Sequence, residues 1–236
     1  MATRANGIRL AGDPQFFFVH AAALTGVAIA GFGFAAWSGR ADYSLLPPTI
    51  YLHGLIFTAW CVLAMVQPLL IAKRDRATHR RLGWVGAILA LCIAFSGIAV
   101  TIDGVEAGRL APAGIWLAMN MLTVIPFLAL VAFAIVLRRS TDWHRRLLAS
   151  ATIIVTAPAW ARLLPMERLG PLGLPVITGV VLMFVLWGIV HDRRTRGSIH
   201  SAWWWGAAAV SVPGILTIPV ALFPAFARWA EGFAPT

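Results

Sequence analysis

The chain has 236 residues, of which 60% are hydrophobic and 12% are charged, and its mean hydropathy is +0.81. Soluble domains are about 45–50% apolar and about 25% charged, so this composition excludes both an ordinary soluble domain and a disordered chain. The net charge of +10 lies in short segments between long apolar blocks. That pattern is typical of a polytopic α-helical membrane protein in contact with a lipid bilayer, and it argues against a nucleic-acid partner.

Seven apolar blocks are long enough to cross a bilayer as a helix, which takes about 20 residues at a rise of about 1.5 Å each. They lie at residues 16–37, 49–72, 82–102, 113–137, 146–164, 172–191 and 202–224. The fifth block is short, and the seventh is interrupted by two prolines. Because the loops are too short for an extramembrane domain, residues 1–236 are predicted to form one all-α, seven-helix transmembrane bundle.

The basic residues are distributed unevenly between the two sets of alternate loops. The N-terminal segment and the loops on its side hold fourteen of the nineteen: Arg4, Arg9, Lys73, Arg74, Arg76, Arg80, Arg81, Arg138, Arg139, Arg145, Arg146, Arg193, Arg194 and Arg196. The other side holds Arg40, Arg109, Arg162, Arg168 and Arg228. Since cytoplasmic loops carry the excess of Lys and Arg, the N-terminus is predicted to be cytoplasmic and the C-terminus to lie outside.

Three of the basic junctions resemble one another. Residues 76–82 are RATHRRL, residues 141–147 are TDWHRRL, and residues 197–203 are GSIHSAW, which lacks the arginine pair. In each, a histidine ends a basic segment and begins an apolar block. This pattern predicts that the hairpins formed by spans two and three and by spans four and five are repeats, with spans six and seven as a degenerate third copy. The alternative is that basic loops resemble one another because membrane topology demands arginine.

The segments HGLIFTAW…QPLLI…HRRLG, from His53 to Gly83, and WHRRLL…APAWARLLP, from Trp143 to Pro165, resemble the DUF2306-like family of bacterial multi-pass membrane proteins. The resemblance covers about half of the chain. It implies a multi-pass protein of the bacterial inner membrane, and it brings no established activity. The arrangement is also similar, more loosely, to the cytochrome b561-like four-helix core, in which histidines on alternate helices ligate two b haems. That similarity implies pairing of His53 with the Asn120 position and of His79 with His144. Asparagine does not ligate haem.

Polar residues within apolar blocks are candidates for function because they are costly in a bilayer. Spacing predicts an outer layer and an inner layer. His53, Trp60 and Gln67 recur every seven residues and so share one helix face, which should point into the bundle. With Asp103, Asn120 and Arg162 they are predicted to form a ligand pocket. The alternative is local pairing, with Arg162 bound to Asp103 or extended to the interface.

The inner layer consists of His20, His79 and His144. Two imidazoles at one depth could bind a b haem, and three could bind a transition metal. The alternative is that each His-Arg-Arg sequence anchors the chain at lipid phosphates. His191 and His200, in the polar segment HDRRTRGSIH, are predicted to be solvated loop residues.

The hypothesis favoured by these patterns is an inner-membrane protein with a histidine-lined site in the bundle, binding haem or a metal with an electron-transfer role. A non-catalytic small-ligand, lipid-binding or accessory subunit of a membrane complex is one alternative, and a small-molecule transporter or channel is another. Lys73 is the only lysine and lies in a loop, which excludes a retinal Schiff base within the bundle. No catalytic sequence motif is present, so the sequence leaves open whether the protein is an enzyme.

Overall fold

The computed structural model describes residues 13–41 and 43–235, and these residues form helices with no strand among them. The helices are α1 Asp13–Trp37, α2 Pro48–Ala72, α3 Arg76–Glu106, α4 Ala113–Val136, α5 Thr141–Ile154, α6 Ala157–Leu163, α7 Met166–Leu169, α8 Gly173–Arg196, α9 Ala202–Leu222 and α10 Pro224–Glu231. Single 3₁₀ turns follow α1 and α7. The predicted all-α class is therefore correct.

Within the described ranges, six helical segments are long and apolar enough to cross a membrane. They are α1, α2, α3, α4, the segment Met166–Arg196 that contains α8, and α9. Large apolar side chains on their outward faces, such as Ile29, Phe95 and Ile215, are exposed. Because lipid is the only solvent in which such faces are favourable, the chain is a multi-pass membrane protein.

The block predicted as the fifth span is divided between α5 and α6. Pro158 lacks an N–H, and its ring excludes the carbonyl of the residue four positions earlier, which is Ile154. Helix α5 ends at Ile154, and α6 begins at Ala157, directly before the proline. At the break, the Thr156 hydroxyl donates to the Ile153 carbonyl at 2.7 Å. The break therefore follows from the proline and is stabilised locally by a buried hydroxyl.

Helices α5 and α6 form the centre of the bundle. Half of the fourteen α5 residues are buried, and α5 packs against α4, α9, α1 and α8, while α6 packs against α1 and α8. Around them, α1 contacts α2, α2 contacts α3, α3 contacts α4, α4 contacts α9, and α9 contacts α8. The central helices thus pack against four of the six long apolar segments, α1, α4, α8 and α9, with α2 and α3 farther out.

The central pair of helices runs from one end of the bundle to the other. At one end, Arg145 of α5 contacts Asp13 of α1 at 2.6 Å. At the opposite end, beyond the end of α1, the Arg40 guanidinium donates to the Arg162 carbonyl of α6 at 3.2 Å. The three basic junctions and the beginning of α1 therefore lie at the same end. Arg4 and Arg9 lie outside the described residues.

We expect Gly31→Ala to destabilise the bundle, because a Cβ there would overlap the backbone carbonyl of Ala159 in α6. Backbone cannot move aside as a flexible side chain can, so the loss should be about 1–3 kcal/mol. Gly33→Ala is the matched control, since Gly33 lies two residues along the same helix with no atom within 4 Å of the added methyl. It should be neutral or stabilising by about 0.5–1 kcal/mol. Thermal unfolding of both variants in detergent tests this, and equal midpoints would contradict it.

Candidate functional site

Two of the predicted inner-layer histidines face each other. His79 lies in the first turn of α3, whose N-terminus is capped by Asp75 accepting from the Thr78 N–H at 3.0 Å. His144 lies in the first turn of α5. Their ring centroids are 6.4 Å apart and their planes are inclined by 78°. Corresponding positions of two similar junctions thus bring two steeply inclined imidazole rings into contact.

The hydrogen bonds of this pair distinguish its ring nitrogens. His144 Nδ1 donates to the Ala134 carbonyl of α4 at 2.8 Å, which leaves Nε2 of the neutral ring as the nitrogen with a free lone pair. His79 Nδ1 is buried and has no hydrogen-bond partner among the described residues. The Gln67 amide lies beside it, with Nε2 donating to the His79 carbonyl at 3.4 Å and Oε1 buried and unpartnered within the same part of the chain. His79 and the neighbouring Gln67 therefore each bring a buried polar atom that forms no hydrogen bond with the described residues.

His20 does not join this pair. It is 1% exposed, and Nε2 bonds to the Phe184 carbonyl of α8 at 3.2 Å. Its ring contacts those of Phe16, Phe184, Trp187 and Trp203. Over residues 13–41 and 43–235, no group of three or more His, Cys, Asp and Glu side chains has an arrangement that could hold a metal ion. His20 therefore lies apart from the other two histidines, and only the rings of His79 and His144 are in contact.

The outer layer is brought together only in part. His53 Nδ1 bonds to the Ser96 hydroxyl of α3 at 2.8 Å, and the Asn120 amide donates to the Gly97 carbonyl at 3.2 Å. A Cβ on Gly97 would lie 3.5 Å from the His53 ring and 3.7 Å from the Asn120 amide. His53 and Asn120 therefore meet at Gly97, where the absence of a side chain makes room for both. Two helical turns after His53 in α2, Trp60 is buried against Phe127, with ring centroids 5.4 Å apart.

Asp103 and Arg162 lie apart from the residues around Gly97. Asp103 accepts from the Thr49 hydroxyl at 2.9 Å and has Arg109 at 3.9 Å. The Arg162 guanidinium lies over the Phe32 ring at 4.1 Å and donates to the Pro158 carbonyl. Both charges therefore have local partners at the end of the bundle. Asp103 has a hydroxyl and an arginine, and Arg162 has an aromatic ring and a carbonyl.

A buried ion-pair network was missed by the sequence analysis. Arg146 of α5 binds Asp192 of α8 through two hydrogen bonds, of 2.8 and 2.5 Å, and both side chains are 0% exposed. Asp192 also accepts from the Trp203 indole N–H at 3.1 Å and from the His200 backbone N–H at 3.2 Å. The sequence nevertheless contains a pattern that indicates the burial of Asp192. Val181, Val185 and Gly188 form the buried face of α8, and Asp192 continues it at the same helical spacing.

The prediction that His191 is a solvated loop residue is wrong, whereas His200 does lie in the loop before α9, where it is half-buried. His191 lies within α8, stacks on Phe16 with centroids 3.9 Å apart, and bonds to Asp13 at 3.0 Å. His200 lies edge to face with Trp143, and its Nδ1 accepts from the Ala202 N–H at 3.1 Å. A basic segment next to a bundle can fold back onto it when acidic partners lie within reach, as Asp13 and Asp192 do here.

The network sets the protonation of the groups at its edge. The Arg196 guanidinium, at 2.8 and 3.1 Å, holds the pKa of the Asp142 carboxyl well below its usual range, and Arg145 and Arg146 add to the effect. Partial burial, followed by the nearby Arg146 charge, lowers the pKa of His200. At neutral pH, Asp142 is therefore charged and His200 is neutral, which agrees with its Nδ1 acting as an acceptor.

Comparisons of the chain with protein-family models, with curated proteins and with solved structures give no match. The functional argument therefore depends on the geometry of the bundle and on the sequence pattern.

We expect Asp192→Ala to cost about 3–5 kcal/mol of unfolding free energy, because it removes the buried partner of Arg146 and leaves that charge only the more exposed Asp142 carboxylate, at 3.3 Å. The double variant Arg146→Met, Asp192→Leu should recover much of that loss, since it removes both charges and keeps their volume. Asp103→Ala is the control at an exposed pair, and it should change stability by about 1 kcal/mol or less. Denaturation of the three variants in detergent would contradict this expectation if Asp192→Ala and Asp103→Ala unfolded alike.

Proposed function

We propose that this protein is a bacterial inner-membrane protein with seven crossings that carries a b-type haem between His79 and His144 and serves in electron transfer. In this proposal α5 and α6 together make the seventh crossing. Their 23 residues, Thr141 to Leu163, span about 34 Å at the helical rise, enough for a hydrocarbon core of about 30 Å.

The observation that carries the proposal is the separation of the two imidazoles. A metal ion bound between two imidazole nitrogens at about 2.0–2.1 Å each would place those nitrogens about 4 Å apart and the ring centroids about 6 Å apart. The observed centroid separation is 6.4 Å. Rings at this distance on two different helices would hold one haem iron between them, His79 from α3 and His144 from α5.

The donor set favours haem over a bare ion. Two imidazoles alone leave a tetrahedral or octahedral metal ion short of ligands, and the described part of the chain places no third such group beside them. Haem iron takes four ligands from its own porphyrin and needs only two from the protein. Bound there, the haem would supply one-electron redox chemistry.

The surroundings of His79 and His144 fit residues that would hold a haem iron. The bond from His144 Nδ1 to the Ala134 carbonyl is the contact to the second ring nitrogen that orients a ligating histidine and fixes its tautomer. His79 brings a buried nitrogen without a partner among the described residues. The site is also close to the end of the bundle that carries the basic junctions, so electrons would enter or leave on that side.

The orientation proposed here places the basic junctions in the cytoplasm, since the positive-inside rule assigns the arginine-rich side to it. We expect an impermeant thiol reagent to label Glu106→Cys, at the opposite end of α3, in intact cells. Thr141→Cys should be labelled only after the membrane is permeabilised. Both positions are exposed, so accessibility alone does not separate them. Labelling of Thr141→Cys in intact cells would contradict this orientation.

The haem is tested by the visible absorption spectrum of the full-length protein, purified from cells supplied with a haem precursor. We expect a Soret band that sharpens and shifts on reduction by dithionite. His79→Ala and His144→Ala should each abolish it, because one axial ligand is lost in each. His53→Ala is the matched control, an intramembrane histidine bonded to Ser96, and it should retain the band. A wild-type protein without a Soret band, or a band unaffected by loss of both inner histidines, would overturn the proposal.

A further inference from the structure

The two His-Arg-Arg sequences use their arginines in opposite ways. At the second, Arg145 contacts Asp13 and Asp142, and Arg146 is buried against Asp192. At the first, Arg80 and Arg81 are exposed, and no carboxylate of the described residues forms an ion pair with either. The same sequence thus stabilises the bundle at one junction and leaves two exposed guanidinium groups outside any ion pair at the other.

These guanidinium groups border a shallow surface depression together with an exposed tryptophan. Its lining residues are Ala77, Arg80, Arg81 and Trp84, and Trp84 is 63% exposed. Their spacing of three to four residues places them on one face of α3. The small Ala77 leaves the space between the longer side chains open. The N-terminal amides of α3 are engaged elsewhere, since the Thr78 N–H donates to Asp75, so this surface acts through its side chains.

The same face continues into the bilayer as an apolar stripe. Ile88, Leu91 and Phe95 follow Trp84 at helical spacing and are 62%, 50% and 71% exposed. From Trp84 to Phe95, eleven residues rise about 17 Å. That length is close to one leaflet of a hydrocarbon core about 30 Å thick. The arginines come before Trp84 in α3, so they reach the headgroup region of that leaflet.

We propose that this face of α3 binds an anionic phospholipid, with its phosphodiester at Arg80 and Arg81 and its acyl chains along Ile88, Leu91 and Phe95. Guanidinium groups bind phosphate oxygens through paired, charge-assisted hydrogen bonds. Trp84 lies between charge and hydrocarbon, the position that an indole ring favours at a membrane interface. A headgroup without its own cation, as in phosphatidylglycerol, fits two unpaired guanidinium groups better than phosphatidylcholine, whose ammonium group offsets the phosphate.

The test is native mass spectrometry of the full-length protein in detergent, with equal amounts of phosphatidylglycerol and phosphatidylcholine added. We expect the wild-type protein to retain phosphatidylglycerol preferentially. R80Q/R81Q should lower that preference by about 30-fold, the effect of two arginines near an anionic lipid surface. R138Q/R139Q is the matched control, since it removes the same charge from an exposed arginine pair at the same end of the bundle. It should keep the preference.

Three results would overturn the proposal. One is a wild-type protein that retains both lipids equally, and another is an equal loss of preference in R80Q/R81Q and R138Q/R139Q, which would indicate a general effect of basic charge. The third is displacement of the lipid by an equal concentration of inorganic phosphate, which would identify free phosphate as the ligand. W84A provides a second measurement, because this exposed side chain can be removed without disturbing the core, and it should weaken retention several-fold. None of these readouts depends on haem, so the two proposals succeed or fail separately.

Discussion

The buried pair between Arg146 and Asp192 fixes the base of the central helix, and the arrangement of the other helices depends on it. Taking two charges out of water costs several kcal/mol for each ion in a protein, and the cost is recovered only if the remaining donors and acceptors are satisfied. Here they are. Asp192 accepts from two of the three guanidinium nitrogens, the Trp203 indole and the His200 N–H, while the third nitrogen of Arg146 donates to the Asp142 carbonyl at 2.9 Å. One ion pair thereby joins α5, α8 and the beginning of α9.

A central helix needs such an anchor because the bilayer provides little hydrophobic force between helices. Lipid tails are as apolar as leucine, so helices in a membrane associate through close packing and interhelical hydrogen bonds. The small residues of the bundle contribute the packing. Gly31 brings α1 onto the backbone of α6, and Gly206 brings α9 onto Ser150 of α5. The ion pair then determines the depth of α5, and with it the position at which His144 meets His79.

The two His-Arg-Arg junctions, at residues 79–81 and 144–146, use their arginines differently, so one carries an exposed basic surface and the other a buried ion-pair network. The half-buried rings of the two histidines contact one another, whereas the arginines separate, two into ion pairs and two onto the lipid-facing surface of α3. The acidic residues decide the outcome. Asp13, Asp142 and Asp192 surround the second junction, while the one carboxylate next to the first, Asp75, caps the helix that carries the arginines. Hydrocarbon on the outer side then favours arginines that extend to the headgroups.

The sequence by itself determined the all-α class, six of the seven predicted apolar spans and the gathering of basic residues in alternate loops, because these depend on local composition and on the length of a bilayer. The resemblance to a cytochrome b561-like core implied that His79 lies near His144 and His53 near Asn120, and both pairs lie close together in the bundle. Only the tertiary structure decided that the predicted fifth span is central and is divided between α5 and α6, and that His20 lies in an aromatic cluster away from His79 and His144. It also decided that Arg162 and Asp103 have other partners than His53. It alone placed Asp192 beside Arg146. Those two residues are 46 positions apart, and charge patterns in a sequence indicate which side of a membrane a residue occupies but not which partner it meets after the helices pack.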